Sequence, residues 1–232
     1  MTAPGASVPR VLALIPGYEE GPRIGRVVEQ TRRYLPVLVV DDGSTDDTAA
    51  QAEAAGATVL PQRPNQGKGA ALRMGFRRAL SEGYDAVVTL DADGQHAPDE
   101  IPRFIEALSA RPEHPELVIG QRDFSRMPPI RRLSNTIGGA AFSWAVGQRI
   151  PDNQSGYRLL GRQLMAAMTE SRETGFEFEV EMIAVCIRRG WSLAWVPIST
   201  IYAGEPSHVK PIHHLRHFVR ATRAARRLIR EP

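Results

Sequence analysis

Cysteine is almost absent from this chain. Cys186 is the single one among 232 residues, so no intramolecular disulfide can form, and a reducing compartment is the economical expectation. No stretch reaches the roughly 18 consecutive apolar residues that a membrane-spanning helix needs. The N-terminus also lacks the charged and apolar regions of a secretory signal. These absences predict a cytoplasmic protein that does not cross a bilayer, with a peripheral place on the cytoplasmic membrane face left open. The Gly-x-x-x-x-Gly-Lys-Ser/Thr phosphate loop is missing. His208 apart, the histidines show no metal-ligand spacing. No aromatic platform or DNA-reading motif accompanies the arginines, so nucleic acid is not an expected partner.

What is present is ordinary in bulk and uneven in distribution. Apolar residues make up 42 % and charged residues 24 %, as in soluble globular domains, and the length suits one α/β domain. Net charge is +3, but residues 209–232 hold seven Lys and Arg against Glu231 alone, leaving the remainder net acidic. Residues 1–9, rich in Pro, Gly and Ala, are expected to be disordered.

Along the chain, short β-branched runs alternate with helical periodicity. Strands are predicted at Val11 to Ile15, Val37 to Val40, Thr58 to Leu60, a run ending at Asp91, and Leu117 to Gly120. Helices are predicted from about Pro22 to Tyr34, after Ser44, from about Lys68 to Ser81, and from Pro98 to Ala110. That order argues for a mostly parallel sheet with helices on both faces. Such sheets bind ligands at the carboxyl ends of their strands.

The strand ends carry the informative residues. Asp91-Ala92-Asp93-Gly94-Gln95 closes the run Ala86 to Leu90 and delivers two carboxylates to the sheet edge. Mg²⁺ is typically held by one or two carboxylates plus substrate phosphates, so this pattern suggests a metal-bridged diphosphate; an ordinary acidic turn is the alternative. After the first strand, Pro16, Tyr18, Glu19 and Glu20 place an aromatic ring beside carboxylates, which suits a nucleobase. After the second, Asp41-Asp42-Gly43-Ser44-Thr45-Asp46 offers Ser44 or Thr45 as a helix cap. Two adjacent carboxylates closing a buried strand further call for a cation or a donor-rich ligand. Asn65-Gln66-Gly67-Lys68-Gly69 opens a helix with a lysine between glycines that allow close approach to a ligand.

Together, in this order, the clusters resemble the family 2 glycosyltransferases of the GT-A fold, and within them the dolichol-phosphate mannosyltransferase-like, polyprenyl-phosphate sugar synthases. The family's Pro-x-Tyr-Asn-Glu corresponds to Pro16, Tyr18 and Glu20, with Glu19 replacing the usual Asn. Its Asp-Asp-Gly-Ser stands at Asp41 to Ser44, its Asn-x-Gly-Lys-Gly at Asn65 to Gly69, and its Asp-Ala-Asp-Gly-Gln at Asp91 to Gln95. Gly120-Gln121-Arg122 is similar to its Gly-Ser-Arg, and Asp152 to Arg158 to its Asp-x-x-Ser-Gly-Phe-Arg. The likeness spans residues 10–208, the expected GT-A domain, followed by a basic amphipathic helix over 209–232.

The resemblance implies a metal-dependent inverting transfer of a sugar from a GDP- or UDP-linked donor. Pro16, Tyr18, Glu20, Asp42, Lys68 and Asp91 would hold the donor, and Asp91, Asp93 and Gln95 would position Mg²⁺ or Mn²⁺, with His208 a further ligand. Asp152 would act near the acceptor, as general base toward a hydroxyl or as an orienting group toward an already ionised polyprenyl phosphate. Arg122, Arg131 and Arg132 are the candidates for receiving that phosphate. On the C-terminal helix, Arg216, Arg220, Arg223, Arg227 and Arg230 share one face and Leu215, Phe218, Val219, Thr222, Ala225 and Ile229 the other, with Arg226 the misfit. Such a helix either meets anionic lipid or docks on the domain. The competing readings are a soluble family 2 enzyme acting on a carbohydrate or small-molecule hydroxyl, and a non-catalytic nucleotide-sugar-binding protein. Oligomeric state is open.

Overall fold

The computed structural model describes residues 9–110, 114–126, 129–175, 177–199, 201 and 211–230, the side chains of 126, 129–131, 133, 134 and 211–218 excepted. Seven strands, β1 (Val11–Gly17), β2 (Val37–Asp41), β3 (Thr58–Pro61), β4 (Ala86–Thr89), β5 (Leu117–Arg122), β6 (Arg158–Gly161) and β7 (Leu193–Ile198), form one sheet in the order β3-β2-β1-β4-β6-β5-β7. All neighbours run parallel except β6, which is antiparallel to both β4 and β5. The expected mostly parallel sheet is present.

Both faces are covered, which is why the central strands are continuous apolar runs rather than alternating ones. Leu12, Leu14, Leu38, Val40 and Val87 point to a core shared with α3 (Lys68–Ser81), α5 (Pro129–Val146), α6 (Arg162–Met168), α7 (Glu177–Arg189) and α8 (Pro211–Arg230). Ala13, Ile15, Val37, Val39 and Val88 point the other way, to α1 (Gly21–Thr31), α2 (Thr48–Ala54) and α4 (Ile101–Ser109). The chain moves outward from β1 through β2 to β3, then returns to place β4 on the other side of β1. That reversal makes the carboxyl ends of β1 and β4 a topological switch point, where open α/β sheets bind ligands.

Several local expectations need correction. The helix after Ser44 starts only at Thr48, and neither Ser44 nor Thr45 caps it. Ser44 Oγ instead accepts the Glu19 N–H at 3.0 Å, while Asp46 Oδ1 takes the Thr48 N–H at 3.0 Å and its Oδ2 the Gly21 N–H at 3.0 Å. The predicted helix at Pro98 begins with one 3₁₀ turn, Pro98–Glu100, before α4. Beyond β5, periodicity marks out only the C-terminal helix, with Cys186 expected inside a helix and Arg131 and Arg132 weighed as helix-start charges; α5, β6, α6, α7 and β7 intervene. All four residues of β6 and eight of thirteen in α7 are buried, which erases the alternation that marks half-exposed elements. Cys186 lies inside α7, where burial pushes its thiol up to about 12.

Helix α8 docks on α7 and α5. Among its described side chains Ala221 and Ala225 are buried, while Val219, assigned to the apolar face, is exposed. Arg220, on the basic face, is paired with Glu177 at 2.6 Å and Glu173 at 3.3 Å. Arg226 finds a partner too, its guanidinium 4.5 Å from the centre of the Trp144 ring.

Phe76 of α3 and Phe178 of α7 stack in the core, centroids 6.1 Å apart and both fully buried. Truncating Phe76 to Ala leaves a cavity between the two helices that carry Lys68 and Glu179. The expected loss of unfolding free energy is about 3–5 kcal/mol, read from urea denaturation of the two proteins.

Candidate active site

Local chemistry explains how the switch point is furnished. Pro16 and Gly17 end β1, and Glu20 Oε2 accepts from Arg23 Nε at 2.8 Å in the first turn of α1. Past β4, the turn at Asp91 folds back so that the Gln95 backbone and side chain donate to Asp93 at 2.9 and 2.8 Å. Pro16, Tyr18, Glu20, Asp42, Lys68, Asp91 and Asp93, expected together from their motifs, line one cleft of about 260 Å³ with Gly17 and Ala92. Tyr18 stands 51 % exposed at its edge.

Asp41 and Asp42 do not wait for a ligand. Asp42 accepts from Gln62 Nε2 at 2.7 Å and from the Gln66 and Gly67 backbone N–H groups at 2.9 and 2.7 Å. Asp41 accepts the Ser44 N–H at 3.1 Å and lies 3.4 Å from Arg63. The donors that two buried carboxylates need thus come from the chain itself. A similar correction applies to the glycines around Lys68. Gly67, at φ +92°, and Gly69 give close approach to the protein's own segment 173–178: a Cβ on either would fall within 3 Å of Thr174 or Glu173 backbone atoms. Gly69 N–H donates to the Thr174 carbonyl at 2.7 Å.

That approach brings Glu179 of α7 into the site, a residue missing from the motif-based set. Lys68 Nζ lies 2.5 Å from Asp91 Oδ1 and 2.9 Å from Glu179 Oε1. For Asp91, burial is the largest influence and would raise its pKa, but Lys68, His96 and Arg122 together outweigh it and hold the carboxyl down at about 2. For Lys68, burial would lower the value, yet Asp91 and Glu179 carry it above the ordinary lysine range. Both groups are therefore charged across the physiological range.

The residues fit a divalent cation. An ammonium already rests on Asp91 as a stand-in positive charge, Asp93 shares the cleft, and all the donors are hard oxygens. Among the described residues no three His, Cys, Asp or Glu groups are gathered so as to hold a metal alone. His208 lies outside the described residues.

Asp152 is buried beside this cleft and takes a two-pronged grip from Arg122: Nε at 2.7 Å, Nη2 at 2.9 Å, and the Arg122 N–H at 3.3 Å. The Gln154 N–H adds a fourth donor at 3.0 Å. Arg131 and Arg132 fall in the first turn of α5; the Arg132 side chain is exposed, and that of Arg131 lies outside the described residues. Two further residues carry roles that the motifs did not assign, although Arg158 closes the Asp152–Arg158 motif. Arg158, fully buried, donates to the carbonyls of Ser155 at 2.7 Å, Asn153 at 3.2 Å and Glu179. His96 backs Asp91: its Nδ1 accepts the Asp91 N–H at 3.0 Å, its Nε2 stands 3.7 Å from Asp91 Oδ2, and its ring stacks on Tyr157 at 4.9 Å. A short sequence separation from Asp91 was the one available signal for His96.

Because Nδ1 accepts, His96 is neutral with its proton on Nε2. Burial, the largest influence, lowers its pKa from 6.5. Below pH 6.5 the unfolded chain takes up a proton that the folded chain refuses, so this group's contribution to stability falls as pH drops through and below that value. Replacing His96 by Asn, whose carbonyl can accept the same N–H, is expected to flatten the decline. Unfolding free energies of the two proteins between pH 7.5 and pH 5 test this, and parallel curves would refute it.

Residues 13–167 match Glycosyl transferase family 2. The chain is 32 % identical over 210 residues to an undecaprenyl-phosphate mannosyltransferase of Micrococcus luteus, covering 83 % of this chain and 84 % of that one. It is 32 % identical over 206 residues to a polyprenol monophosphomannose synthase of Mycolicibacterium smegmatis, covering 82 % and 77 %. Among solved structures, glucosyl-3-phosphoglycerate synthase from Mycobacterium tuberculosis in complex with Mn²⁺, UDP and phosphoglyceric acid superposes with a TM-score of 0.72 over 100 % of this chain and 85 % of that one. At 21 % identity that likeness concerns fold alone. By its matched residues and its relatives, this chain is a family 2 glycosyltransferase with the GT-A fold.

Proposed function

We propose that the enzyme moves a sugar from a GDP- or UDP-linked donor to a polyprenyl phosphate at an anionic membrane surface, with inversion at the anomeric carbon and with Mg²⁺ or Mn²⁺ bound at Asp91 and Asp93. In this reading Tyr18 and Glu20 meet the base and ribose, and Asp42 stiffens the loop before Lys68. Gln95 fixes the orientation of Asp93. A divalent cation bound there would supply Lewis-acid stabilisation of the departing nucleoside diphosphate.

The observation that carries the choice of acceptor is the Arg122–Asp152 pair. A general base for a hydroxyl needs a carboxylate oxygen available for the proton, whereas Asp152 is engaged by four donors. Its role here is to orient Arg122, and a guanidinium held this way suits a phosphate. A phosphate arrives ionised near neutral pH and needs no base. The relatives named for undecaprenyl-phosphate and polyprenol substrates support the same acceptor class.

A membrane surface is favoured by the α5–α8 pair. Residues 129–150 and 211–230 contain nine arginines and no carboxylate. On α5, Ile137 and Trp144 lie two turns apart on one face and are 60 % and 73 % exposed. An apolar stripe bordered by arginines matches the interfacial zone of an anionic bilayer. No described helix is long and apolar enough to cross a membrane.

Two measurements test this. With vesicles carrying a polyprenyl phosphate, wild-type protein, metal and a radiolabelled GDP- or UDP-sugar are expected to give an organic-extractable labelled lipid. Asp93→Asn is expected to lower the rate by at least about 100-fold, the scale of losing one preorganised charge-stabilising group. Labelling of only a water-soluble hydroxyl acceptor would overturn the phosphate assignment. Separately, Ile137→Ser with Trp144→Ser is expected to weaken co-sedimentation with anionic vesicles while leaving the melting temperature unchanged; undiminished binding would remove α5 from the contact.

A further inference from the structure

Lys68 stands on a carboxylate assigned to the metal, and the surroundings of its ammonium are built rather than incidental. Nζ lies between Asp91 and Glu179 at 2.5 and 2.9 Å. Gly156 covers the group so closely that a Cβ there would sit 2.9 Å from Lys68 Nζ and 3.0 Å from both Asp91 Oδ2 and Glu179 Oε1. Glu179 itself is nearly buried, its side chain 8 % exposed. Arg158, which donates to the Glu179 and Ser155 carbonyls, fixes the backbone on both sides of Gly156 and the start of α7.

A divalent ion on Asp91 and the Lys68 ammonium are positive charges seeking the same oxygens. In a partly buried cleft two such cations a few ångströms apart repel strongly. One of them needs another anion before both can stay. Glu179 supplies half of that need, since it already holds the ammonium at 2.9 Å through a contact of its own. A donor diphosphate would supply the rest, with oxygens for the metal and for Lys68 together.

We infer that Lys68 competes with the divalent cation for Asp91, that Glu179 positions the displaced ammonium, and that the metal therefore binds tightly only together with the donor diphosphate. This rests on the proposed metal site at Asp91 and adds to it a binding order and a role for Glu179. Coupling of this kind is reciprocal, so the metal raises nucleotide affinity by the same factor.

Mn²⁺ binding to the full chain, followed by the electron paramagnetic resonance of the free ion, tests the inference without any turnover. Wild-type protein is expected to bind Mn²⁺ weakly alone and on the order of 10-fold more tightly with GDP or UDP. Lys68→Met is expected to bind Mn²⁺ alone on the order of 10-fold more tightly than wild type, with a smaller further gain from nucleotide than wild type shows, because the phosphate oxygens still ligate the ion. Lys68→Arg, which keeps the charge, is expected to behave as wild type. Mn²⁺ alone should also raise the melting temperature of Lys68→Met more than that of wild type, because two facing carboxylates there have lost their cation. If Lys68→Met fails to fold, Lys68→Gln carries the same expectations. Mn²⁺ binding to the folded neutral variant that is no tighter than wild type would overturn the competition. Unchanged Mn²⁺ binding in Asp91→Asn would instead remove the metal site itself, and the proposed function with it.

Discussion

The site depends on a positive charge that never meets water. Arg158 is fully buried and spends its donors on backbone carbonyls of Asn153, Ser155 and Glu179. Burial pulls its pKa down from the usual arginine value, but a guanidinium remains protonated and needs acceptors on every side. Meeting that demand draws the 152–157 loop and the first turn of α7 together. The loop carries Asp152 and the glycine that rests on Lys68, and the helix carries Glu179. One buried cation thus sets the distance between the loop that carries Asp152 and the helix that carries Glu179.

Around this anchor the sheet imposes the rest. Because the strand order reverses between β1 and β4, their carboxyl ends leave a crevice that neither crossover helix can fill. The parallel register places Gly17 beside Asp41 and Leu14 beside Thr89, so the turns after β1, β2 and β4 emerge side by side. Three acidic turns in one place would repel if left bare. The protein balances them locally with backbone donors at Asp42, a capping network at Asp46 and an ammonium at Asp91. The cleft is consequently polar and already organised, as a site for a charged ligand must be if it is to avoid reorganising during reaction.

How much of this was legible in the residues follows from where each signal resides. Strand-end motifs are local: Asp91 and Asp93 follow a β-branched run, and Lys68 opens a helix whose span, Lys68–Ser81, agrees with its periodicity. Their convergence needs only the α/β rule that strand ends gather at one edge. Glu179, by contrast, sits in the first turn of a helix, where an acidic residue already has a reason to be, namely the helix dipole. Nothing adjacent distinguishes it from Glu177, which turns to Arg220 instead. The glycines flanking Lys68 were legible as close approach but not as approach to the protein's own backbone, because a missing Cβ does not say what comes near. Asp42 misled for the opposite reason: its donors, Gln62, Gln66 and Gly67, arrive from the next crossover, and chain pattern does not reveal three-dimensional satisfaction of a buried acceptor.

The C-terminal helix makes the same point about faces. An Arg-rich stripe opposite an apolar one is compatible with lipid and with docking, and the docking of α8 engages only some of its residues. Ala221 and Ala225 are small enough to let α8 lie close on its neighbours, and Arg220 is tied down by Glu177 and Glu173. Arg226, the residue that broke the helical pattern, reaches α5 and covers the Trp144 ring. A cation over an exposed indole loses little hydration and keeps the ring's far face available. The arginine out of phase therefore joins the basic stripe of α8 to the apolar stripe of α5, so the surface suited to a bilayer belongs to the pair of helices rather than to the tail alone.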